Sequence, residues 1–498
     1  MLMTEFDSET KKKPTVVVLS IIDWDFRFQR PQHMAAGLVG NGWDVYYFDG
    51  NFDMHESHTR VIDGVNVVRV KCPQFGDIHM IKSADDIIIF DAVDKYLAEK
   101  QIIPDAVIVM YPTWYPVFFG IKEKYGTKII FDYLDEFDGF HKTSKNPLLL
   151  PATTWLKENC DLAIASSQFL FEKVNAAAAK SCLIRNGADC AHFEKASGMT
   201  KKARPIVGYY GAIAEWFDFE SVAFAAKTLP QYDFILIGEY TQGDAASLAL
   251  LPNVSFLGEI PYAELPEQIR CMDVCLVPFD ASTDLIKATN PVKFYEYLAA
   301  GKKIVATAIP ELAEFDREFV LLSNDKEEFA NHIRLCAEGI DSSASAEERM
   351  KMAQSHDWSV RSLAVHEQIM DVFPTVSIVI VTHNCIESAK ECISTIFSVS
   401  SYPRFDVIVV DNASADGTRE YLKIAEENYL NMSVFLSDVN LGFAKANSIA
   451  AKKANGEYVI FLNVDTTVKN GWIQSLFGRL NPDSKNSSKP RTVLYPLY

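Results

Sequence analysis

The sequence predicts an α/β protein made of three successive units, each a parallel sheet with helices on both faces. Short β-branched apolar runs alternate with amphipathic stretches along most of the chain, which is the pattern of βα units. The chain has 498 residues, too many for one core, because single cores stop growing near ~250–300 residues. A polar stretch at 195–205 and Pro374 each precede a new series of apolar runs.

The first unit is predicted to span residues 14–194. Its first helix has Pro31 at a position where a missing N–H costs nothing, and Gly42 follows the end of that helix. The strands of this unit are expected at 16–22, 45–48, 106–110, 128–133 and 162–165.

The second unit is predicted at 205–373 and the third at 375–498. Strands of the second are expected at 206–210, 234–237, 254–256, 274–277 and 303–307, followed by a terminal helix at 356–373. Strands of the third are expected at 376–382, 407–410, 434–436 and 458–462. The last stretch, 481–498, is polar and weakly patterned.

Composition excludes several classes of protein. With 48% hydrophobic and 23% charged residues, the chain is neither disordered nor collagen-like. A net charge of -18 disfavours binding to nucleic acid, because like charges repel. The nine cysteines are scattered, which favours reduced thiols in the cytoplasm. No run of ~18 apolar residues occurs, so any contact with the inner membrane is expected to be peripheral.

The segment 23–33 follows the first predicted strand, and ligands of parallel sheets bind beyond the carboxyl ends of the strands. It carries Arg27 and Arg30 next to a helix N-terminus, where free N–H groups also favour an anion. We expect it to bind an anion or the acceptor. The alternative is a surface loop with aromatic packing and Asp–Arg pairs. No Gly-x-Gly-x-x-Gly motif follows this strand, which argues against a dinucleotide.

The segment 287–301 of the second unit is the richest in candidate ligands. Asn290 is predicted to cap a helix. The first turn of that helix, with Lys287 and Lys293, would cradle phosphate groups, and Glu296 would accept hydrogen bonds from a ribose diol. The alternative is an ordinary amphipathic helix with solvent-exposed lysines and an exposed Glu.

Several motifs of the first two units occur in an order that is typical of one family. They are NGAD at 186–189, GYYGAI at 208–213, NVSFLGEIPY at 253–262, DVCLVPF at 273–279 and NPVKFYEYLAAGK at 290–302. Together with the helix that holds Trp358, they resemble the donor-binding domain of family 4 GT-B glycosyltransferases. The resemblance covers about residues 14–373.

This resemblance implies a GT-B fold, in which two Rossmann-like domains face a cleft that binds a nucleotide sugar. Glu296 would then bind the nucleotide ribose, and the 258–262 loop with Tyr262 would contact the base. Gly211 is also expected among the donor-binding residues, because it lies in the matched motif at 208–213. No cofactor is expected at this site.

The chain departs from the family pattern near the diphosphate. Ala288 stands where the first of two Glu residues is usual, and 212–219 hold no cation where the family has Arg and Lys. The diphosphate is therefore expected to be held by helix N-termini and by a set of cations: Lys287, Lys293, Arg27 and Arg30.

Acids at 131–137 replace the family's His near the sugar. Asp135 is the candidate base, with a cap of the following helix as the alternative. Arg30 is the second catalytic candidate, because catalysis in this fold is mainly positioning and electrostatic stabilisation of the leaving diphosphate.

The third unit resembles a different family. Its motifs are VSIVIVTHN at 376–384, VVDNASADGT at 409–418, NLGFAKAN at 440–447 and LNVDT at 462–466. They match the start of family 2 GT-A glycosyltransferases. The resemblance implies that Asp411 contacts the nucleotide, and that Asp465, with Asn463, ligates the Mg²⁺ or Mn²⁺ that bridges the diphosphate. The alternative is that these carboxylates only stabilise strand ends.

The family's acceptor half and catalytic Asp come after the metal motif. The predicted architecture is thus a GT-B fold followed by an incomplete GT-A-type domain that is inactive alone. We expect residue 498 to be an end imposed by a gene break or frameshift on a longer, two-site polypeptide.

The predicted function is glycosyl transfer from a nucleotide sugar of the UDP, dTDP or GDP type to a saccharide or lipid-linked saccharide. The resemblance implies synthesis of a bacterial surface polysaccharide, such as capsule, O-antigen or cell-wall glycan, at the cytoplasmic face of the inner membrane. Two alternatives stay open: a non-catalytic subunit that binds sugar nucleotide or glycan, and a GT-B sugar-nucleotide epimerase.

Overall fold

Three sheets follow one another along the chain in the computed structural model. The structure describes residues 12–137, 145–198, 203–240, 248–341, 343–477 and 491–494. Within these residues the sheets have eight, six and five strands. Helices connect the strands of every sheet, so the predicted α/β class is confirmed.

The first sheet is parallel except at one edge. Its strands are β1 (Thr15–Leu19), β2 (Asp44–Phe48), β3 (His58–Ile62), β4 (Val65–Arg69), β5 (Ala106–Val109), β6 (Lys128–Tyr133), β7 (Leu162–Ala165) and β8 (Ser181–Leu183). They lie in the order β3-β4-β2-β1-β5-β6-β7-β8, with β3 antiparallel to β4. Its helices are Arg30–Gly40, Ile88–Glu99, Tyr115–Tyr125, Leu149–Asn159, Gln168–Asn175 and Cys190–Phe193.

Three strands of the first sheet were not predicted, namely the β3–β4 hairpin and β8. The side chains of β3 are mostly exposed, and those of β8 are half-buried. Both strands lie at sheet edges, where no continuous apolar run marks them. Asp63 and Gly64 form the hairpin turn with φ values of 50° and 79°, the left-handed conformation that tight hairpins require.

The second sheet is entirely parallel. Its strands are β9 (Ile206–Tyr210), β10 (Asp233–Ile237), β11 (Val254–Gly258), β12 (Val274–Val277), β13 (Lys303–Thr307) and β14 (Leu321–Ser323), in the order β11-β10-β9-β12-β13-β14. Its helices are Phe219–Thr228, Leu265–Arg270, Asp284–Ala288, Val292–Ala299, Lys326–Glu338, Ala346–Gln354 and Trp358–Met370. The last helix begins after Asp357, whose carboxylate accepts a hydrogen bond from the Ser359 backbone N at 2.8 Å.

The third sheet is also parallel. Its strands are β15 (Val376–Thr382), β16 (Phe405–Asn412), β17 (Met432–Ser437), β18 (Tyr458–Asn463) and β19 (Arg491–Leu494), in the order β17-β16-β15-β18-β19. Its helices are Ile386–Val399, Thr418–Asn428, Phe443–Lys453 and Trp472–Phe477. β19 lies in the tail that the sequence showed as weakly patterned. No helix among the described residues combines the length and the hydropathy needed to cross a membrane.

The first and third sheets meet at their amino ends. Asp105, directly before β5, accepts a hydrogen bond from the backbone N of Thr15 at 2.8 Å. It accepts another from Nε2 of Gln474, which belongs to the third unit. Both Asp105 and Gln474 are buried. A buried polar contact therefore joins the two units.

The rest of this contact is largely apolar. One hydrophobic cluster continues from the first sheet through the helix Trp358–Met370 into the third sheet, and it includes the fully buried Ile473. Within the third unit, Trp472 Nε1 donates to Oγ of Ser400, which precedes β16, at 2.8 Å. Because both sheets turn their amino ends to this contact, their carboxyl ends lie a strand's length away from it.

Candidate functional site

The carboxyl ends of the first two sheets face one cleft. Arg27, in the loop after β1, donates from Nη2 to Glu239 at 2.9 Å and from Nε to Glu259 at 2.6 Å; these carboxylates follow β10 and β11. At a second contact, Asn290 Oδ1 accepts from the backbone N of Asn186 at 2.9 Å. The first two units therefore touch across the cleft through polar groups.

A cavity of about 510 Å³ lies in the second unit beyond the carboxyl ends of β10 and β11. It is lined by Gly238, Glu239, Tyr240, Ala249, Phe256, Gly258 and Glu259. Ligands of open parallel sheets bind at this end of the strands, and the volume is that of a small-molecule pocket. This cavity is the candidate nucleotide pocket of the chain.

Lys293 lies close to this pocket, on the first turn of the helix Val292–Ala299. Its ammonium is 5.8 Å from the ring centre of Tyr209 and 5.6 Å from that of Phe279. Burial lowers its pKa to about 8, and the positive charge of Arg27 adds to this effect. Among the described residues, no acid pairs with Lys293. Lys293 is therefore a half-buried cation without an acidic partner among the described residues.

Gly211 makes room for the Lys293 side chain. Its φ is +132°, and a Cβ at this position would lie 2.0 Å from Lys293 Cε. Its carbonyl oxygen packs equally closely on Gly238, where a Cβ would meet that oxygen at 2.0 Å. These contacts require glycine at both positions. The predicted donor-binding residues Gly211 and Lys293 are thus neighbours.

Glu296 lies on the same helix and is only 5% exposed. The hydroxyl of Tyr210 donates to its Oε2. Burial raises the pKa of Glu296 to about 8, and the charge of Asp189 adds to this effect. The sequence predicted a carboxylate open to a ribose diol. The structure instead shows a buried carboxyl with one oxygen already occupied.

Asn290 does not cap the helix, so this prediction is wrong. The helix begins at Val292, and Pro291 occupies the N-cap position. Asn290 Nδ2 donates to the hydroxyl of Tyr295 at 3.1 Å, and its Oδ1 accepts from Asn186 of the first unit. Its side chain joins two units. The hydrogen bond to Asn186 connects residues that are 104 positions apart, so no local sequence pattern can show it.

Two predicted phosphate ligands lie elsewhere in the structure. Arg30 is 4% exposed, and its guanidinium bonds to both carboxylate oxygens of Asp132, with a shortest distance of 2.7 Å, and to the carbonyl oxygen of Ile184. A buried guanidinium needs such a paired carboxylate. Lys287 is exposed and pairs with Asp284 at 2.9 Å. The geometry gives Arg30 a structural role and leaves Lys287 outside the pocket.

Asp135 follows β6 at the carboxyl end of the first sheet. Its Oδ1 accepts from the backbone N of Glu136 at 3.0 Å. Burial raises its pKa to about 7, and the charge of Glu136 adds to this effect. The carboxyl therefore titrates near neutral pH, as a general base should. The alternative role, a cap of the following helix, falls on residues 138–144, outside the described residues.

Tyr262, the last residue of the 258–262 loop, does not line the pocket. Its ring stacks on His192 with centres 4.4 Å apart and lies 5.8 Å from Phe28 of the first unit. Its hydroxyl is buried and has no hydrogen-bond partner among the described residues. Tyr262 is thus a packing residue between the units in this structure.

The third unit has its own polar group at the carboxyl ends of its strands. Asp411 is fully buried, and its Oδ2 accepts from the backbone N of Ser414 at 3.1 Å and lies 3.4 Å from Arg419 Nη1. Its Oδ1 is buried and unpartnered among the described residues. Asn463 is the last residue of β18, Asp465 follows that strand, and both are exposed.

The sequence reasoning missed Glu239 and Glu259, which line the pocket and hold Arg27. A signal was present, because both follow predicted strands at the end where ligands bind. It also missed Glu311, a buried carboxylate of the second unit that Arg185 of the first unit contacts at 2.9 Å. That pairing has no local sequence signal.

Two segments of the chain match known families. Residues 204–338 match Glycosyl transferases group 1, and residues 377–495 match Glycosyl transferase family 2. The putative teichuronic acid biosynthesis glycosyltransferase TuaH of Bacillus subtilis is 28% identical over 160 residues, 31% of this chain and 40% of TuaH. The chain therefore spans less than half of this relative.

Solved structures share the fold at low sequence identity. Sucrose-phosphate synthase from Thermosynechococcus elongatus has a TM-score of 0.59 and 16% identity, over 72% of this chain and 99% of that one. HepE of Anabaena, solved with UDP and glucose, has a TM-score of 0.52 and 16% identity, again over 72% and 99%. The predicted GT-B fold with a separate family 2 sheet domain is confirmed.

Proposed function

We propose that this chain, which joins a group 1 glycosyltransferase segment to a family 2 segment, transfers a sugar from a nucleotide sugar to a saccharide in the cleft between its first two units. Lys293 carries the proposal. It is a half-buried ammonium that no acid of the described residues pairs with, beside Gly211 at the strand ends. A cation that is partly removed from water is costly without an anion, and a nucleotide sugar brings a diphosphate.

The nucleoside would occupy the 510 Å³ cavity. Phe256 and Ala249 offer apolar surface for a base, and Gly258 leaves its backbone accessible at the loop. Glu296 would reach the ribose hydroxyls once the Tyr210 hydroxyl gives way. HepE was solved with UDP, which supports a UDP donor here, with dTDP and GDP as the other donor types to compare.

Catalysis would rest on charge and position. Lys293 and Arg27 would stabilise the diphosphate as the bond to the sugar breaks, since cations placed before the reaction need no reorganisation. Asp135 would accept the proton of the attacking hydroxyl, because its pKa of about 7 keeps a useful share of carboxylate at neutral pH. Arg30 would act only by holding Asp132 and β6 in place.

The third unit would bind a second nucleotide with Asp411 and a Mg²⁺ or Mn²⁺ ion with Asp465 and Asn463. Carboxylate and amide oxygens suit these hard cations, and both side chains are exposed at the carboxyl end of β18. In the described part of the chain no group of three or more acidic, His or Cys side chains could hold a metal ion by itself. When bound, the ion would neutralise diphosphate charge. We expect no transfer by this unit alone.

The names of the relatives support a class of acceptor. TuaH is named for teichuronic acid biosynthesis, and this supports a saccharide or lipid-linked saccharide of a bacterial surface polysaccharide as the acceptor. Such an acceptor would meet the enzyme in the cytoplasm, at the inner face of the membrane.

The test is a thermal-shift and binding screen over UDP, dTDP, GDP and CMP sugars, because selective binding raises the melting temperature. We expect one nucleotide class to stabilise the wild type, and the Lys293→Met variant to bind it at least tenfold more weakly. Lys287→Met is the matched control, since its ammonium is exposed and paired. Equal binding by the wild type and Lys293→Met would contradict the assignment.

Turnover with the donor that binds separates the functions. Release of nucleoside diphosphate that depends on an acceptor supports transfer. An isomerised donor would support an epimerase, and saturable binding without turnover would support a non-catalytic subunit.

A further inference from the structure

Arg27 is the cation of the first unit that reaches the pocket of the second. Its two ion pairs, 2.9 Å to Glu239 and 2.6 Å to Glu259, join the loop after β1 to the loops after β10 and β11. Both carboxylates line the 510 Å³ cavity. All three side chains keep some contact with solvent, at 28% exposure for Arg27 and 55% and 50% for the acids. The contact is therefore open to competition.

The loop that carries Arg27 is held in place by its neighbour Gln32. This fully buried side chain donates from Nε2 to the carbonyl oxygens of Trp24 at 3.1 Å and Phe26 at 3.0 Å. Arg27 itself has a φ of 27°. Because the backbone is fixed within the first unit, Arg27 can leave the acids only by turning its side chain or by a separation of the two units.

The charges around the pocket favour a transfer of Arg27 from the two carboxylates to a diphosphate. Glu239 and Glu259 would repel a diphosphate, and Arg27 neutralises only one of their two charges. Lys293 is near enough to Arg27 to feel its charge and has no acid of its own among the described residues. A diphosphate placed beside Lys293 would offer Arg27 a doubly charged partner, and Arg binds phosphate oxygens in the same forked geometry as carboxylates.

We propose that Arg27, Glu239 and Glu259 form a latch that clamps the first two units in the ligand-free protein, and that an arriving nucleoside diphosphate group releases it by drawing Arg27 from the carboxylates. The release step rests on the function proposed above; the clamp does not. The two acids then act as positioning residues that compete with the donor for Arg27.

The experiment compares wild type, the double variant E239Q/E259Q and a matched control, E264Q/E267Q. The control removes the same charge from two exposed acids of the same unit. Hydrogen exchange of the Asn186 amide, which donates to Asn290 across the cleft, is measured without nucleotide and reports the clamp. Dissociation constants for UDP, dTDP and GDP report the competition.

We expect exchange of the Asn186 amide to rise at least threefold in E239Q/E259Q and to stay unchanged in the control. We also expect the double variant to bind the preferred nucleoside diphosphate three- to tenfold more tightly, and R27M to bind it more weakly than wild type. Unchanged exchange would overturn the clamp. Weaker binding by E239Q/E259Q would overturn the competition, because the acids would then be direct ligands.

The two proposals fail in different ways. If none of the nucleotides binds the wild type, the proposed function and the release step fall together, while the exchange data still decide the clamp. If nucleotide binds but the double variant matches wild type in both measurements, only the latch is overturned.

Discussion

The first unit has two neighbours, and it meets them in different ways. At the cleft its contact with the second unit is made by ion pairs and amide hydrogen bonds, such as Arg27 with Glu239 and Asn186 with Asn290, whereas the last helix of that unit, Trp358–Met370, packs on it as part of a hydrophobic cluster. Its contact with the third unit is a shared hydrophobic cluster with one buried Asp–Gln pair. Exposed ion pairs are weak and exchange partners, whereas apolar burial is lost only on separation. The polar contacts at the cleft are thus suited to exchange of partners, and the apolar contacts to permanent association.

The largest expected effect comes from breaking the apolar contact. Ile473 is fully buried in the cluster that joins the first and third units. Ile473→Ala should lower the free energy of unfolding by about 2–5 kcal/mol, because it removes buried methyl groups and leaves a cavity. Denaturant unfolding measures this. Leu430→Ala, at a fully exposed position of the same unit, should change stability by less than about 0.5 kcal/mol. Equal losses of stability in Ile473→Ala and Leu430→Ala would contradict a stabilising role of the apolar contact.

The buried Asp–Gln pair predicts a pH dependence of the same contact. Burial raises the pKa of Asp105 to about 6, above its unfolded value. Below both the unfolded and the folded pKa, the Asp105 carboxyl is neutral in the unfolded and in the folded protein. Above pH 6 the folded protein carries a buried charge at Asp105. Wild-type stability should therefore fall by up to about 3 kcal/mol between roughly pH 4 and pH 6 relative to Asp105→Asn, which does not titrate. Unfolding of both proteins at pH 4.5, 5.5 and 7 measures it; a constant difference would contradict it.

A smaller effect is expected across the cleft. Asn290→Ala leaves the buried backbone N–H of Asn186 without its acceptor. An unsatisfied buried donor costs about 1–3 kcal/mol, and we expect urea unfolding to show a loss in this range. The Asn290→Asp variant keeps the oxygen acceptor and should recover part of it. A loss above that of Ile473→Ala would mean that the cleft, too, is a permanent contact.

The parts of the structure that the sequence predicted are those with a local signal. Buried parallel strands such as β1 and β15 are continuous apolar runs, and their positions follow from periodicity. Lys293 and Gly211 were predicted as donor-binding residues from two separate motifs, and the structure places their atoms side by side. The exposed edge strand β3 carries no apolar run, so it was missed.

The functional roles that failed depend on partners far away in sequence. Arg30 was predicted as a phosphate ligand, but its carboxylate partner Asp132 is 102 residues distant. The helix cap predicted for Asn290 gave way to a contact with the first unit for the same reason. Composition and spacing identify a charged residue near a strand end. They do not show whether that residue already forms an ion pair with a buried residue of opposite charge.

The contact at the amino ends of the first and third sheets affects how a glycan could move between the two candidate sites. β1 has five residues and β15 has seven, so at ~3.3 Å per residue each carboxyl end stands roughly 16–23 Å from the plane where the units join. The two candidate sites therefore lie on opposite sides of this contact. If both sites bind sugars as proposed, a short glycan released at one site would have to diffuse to the other, whereas a long glycan could span the distance.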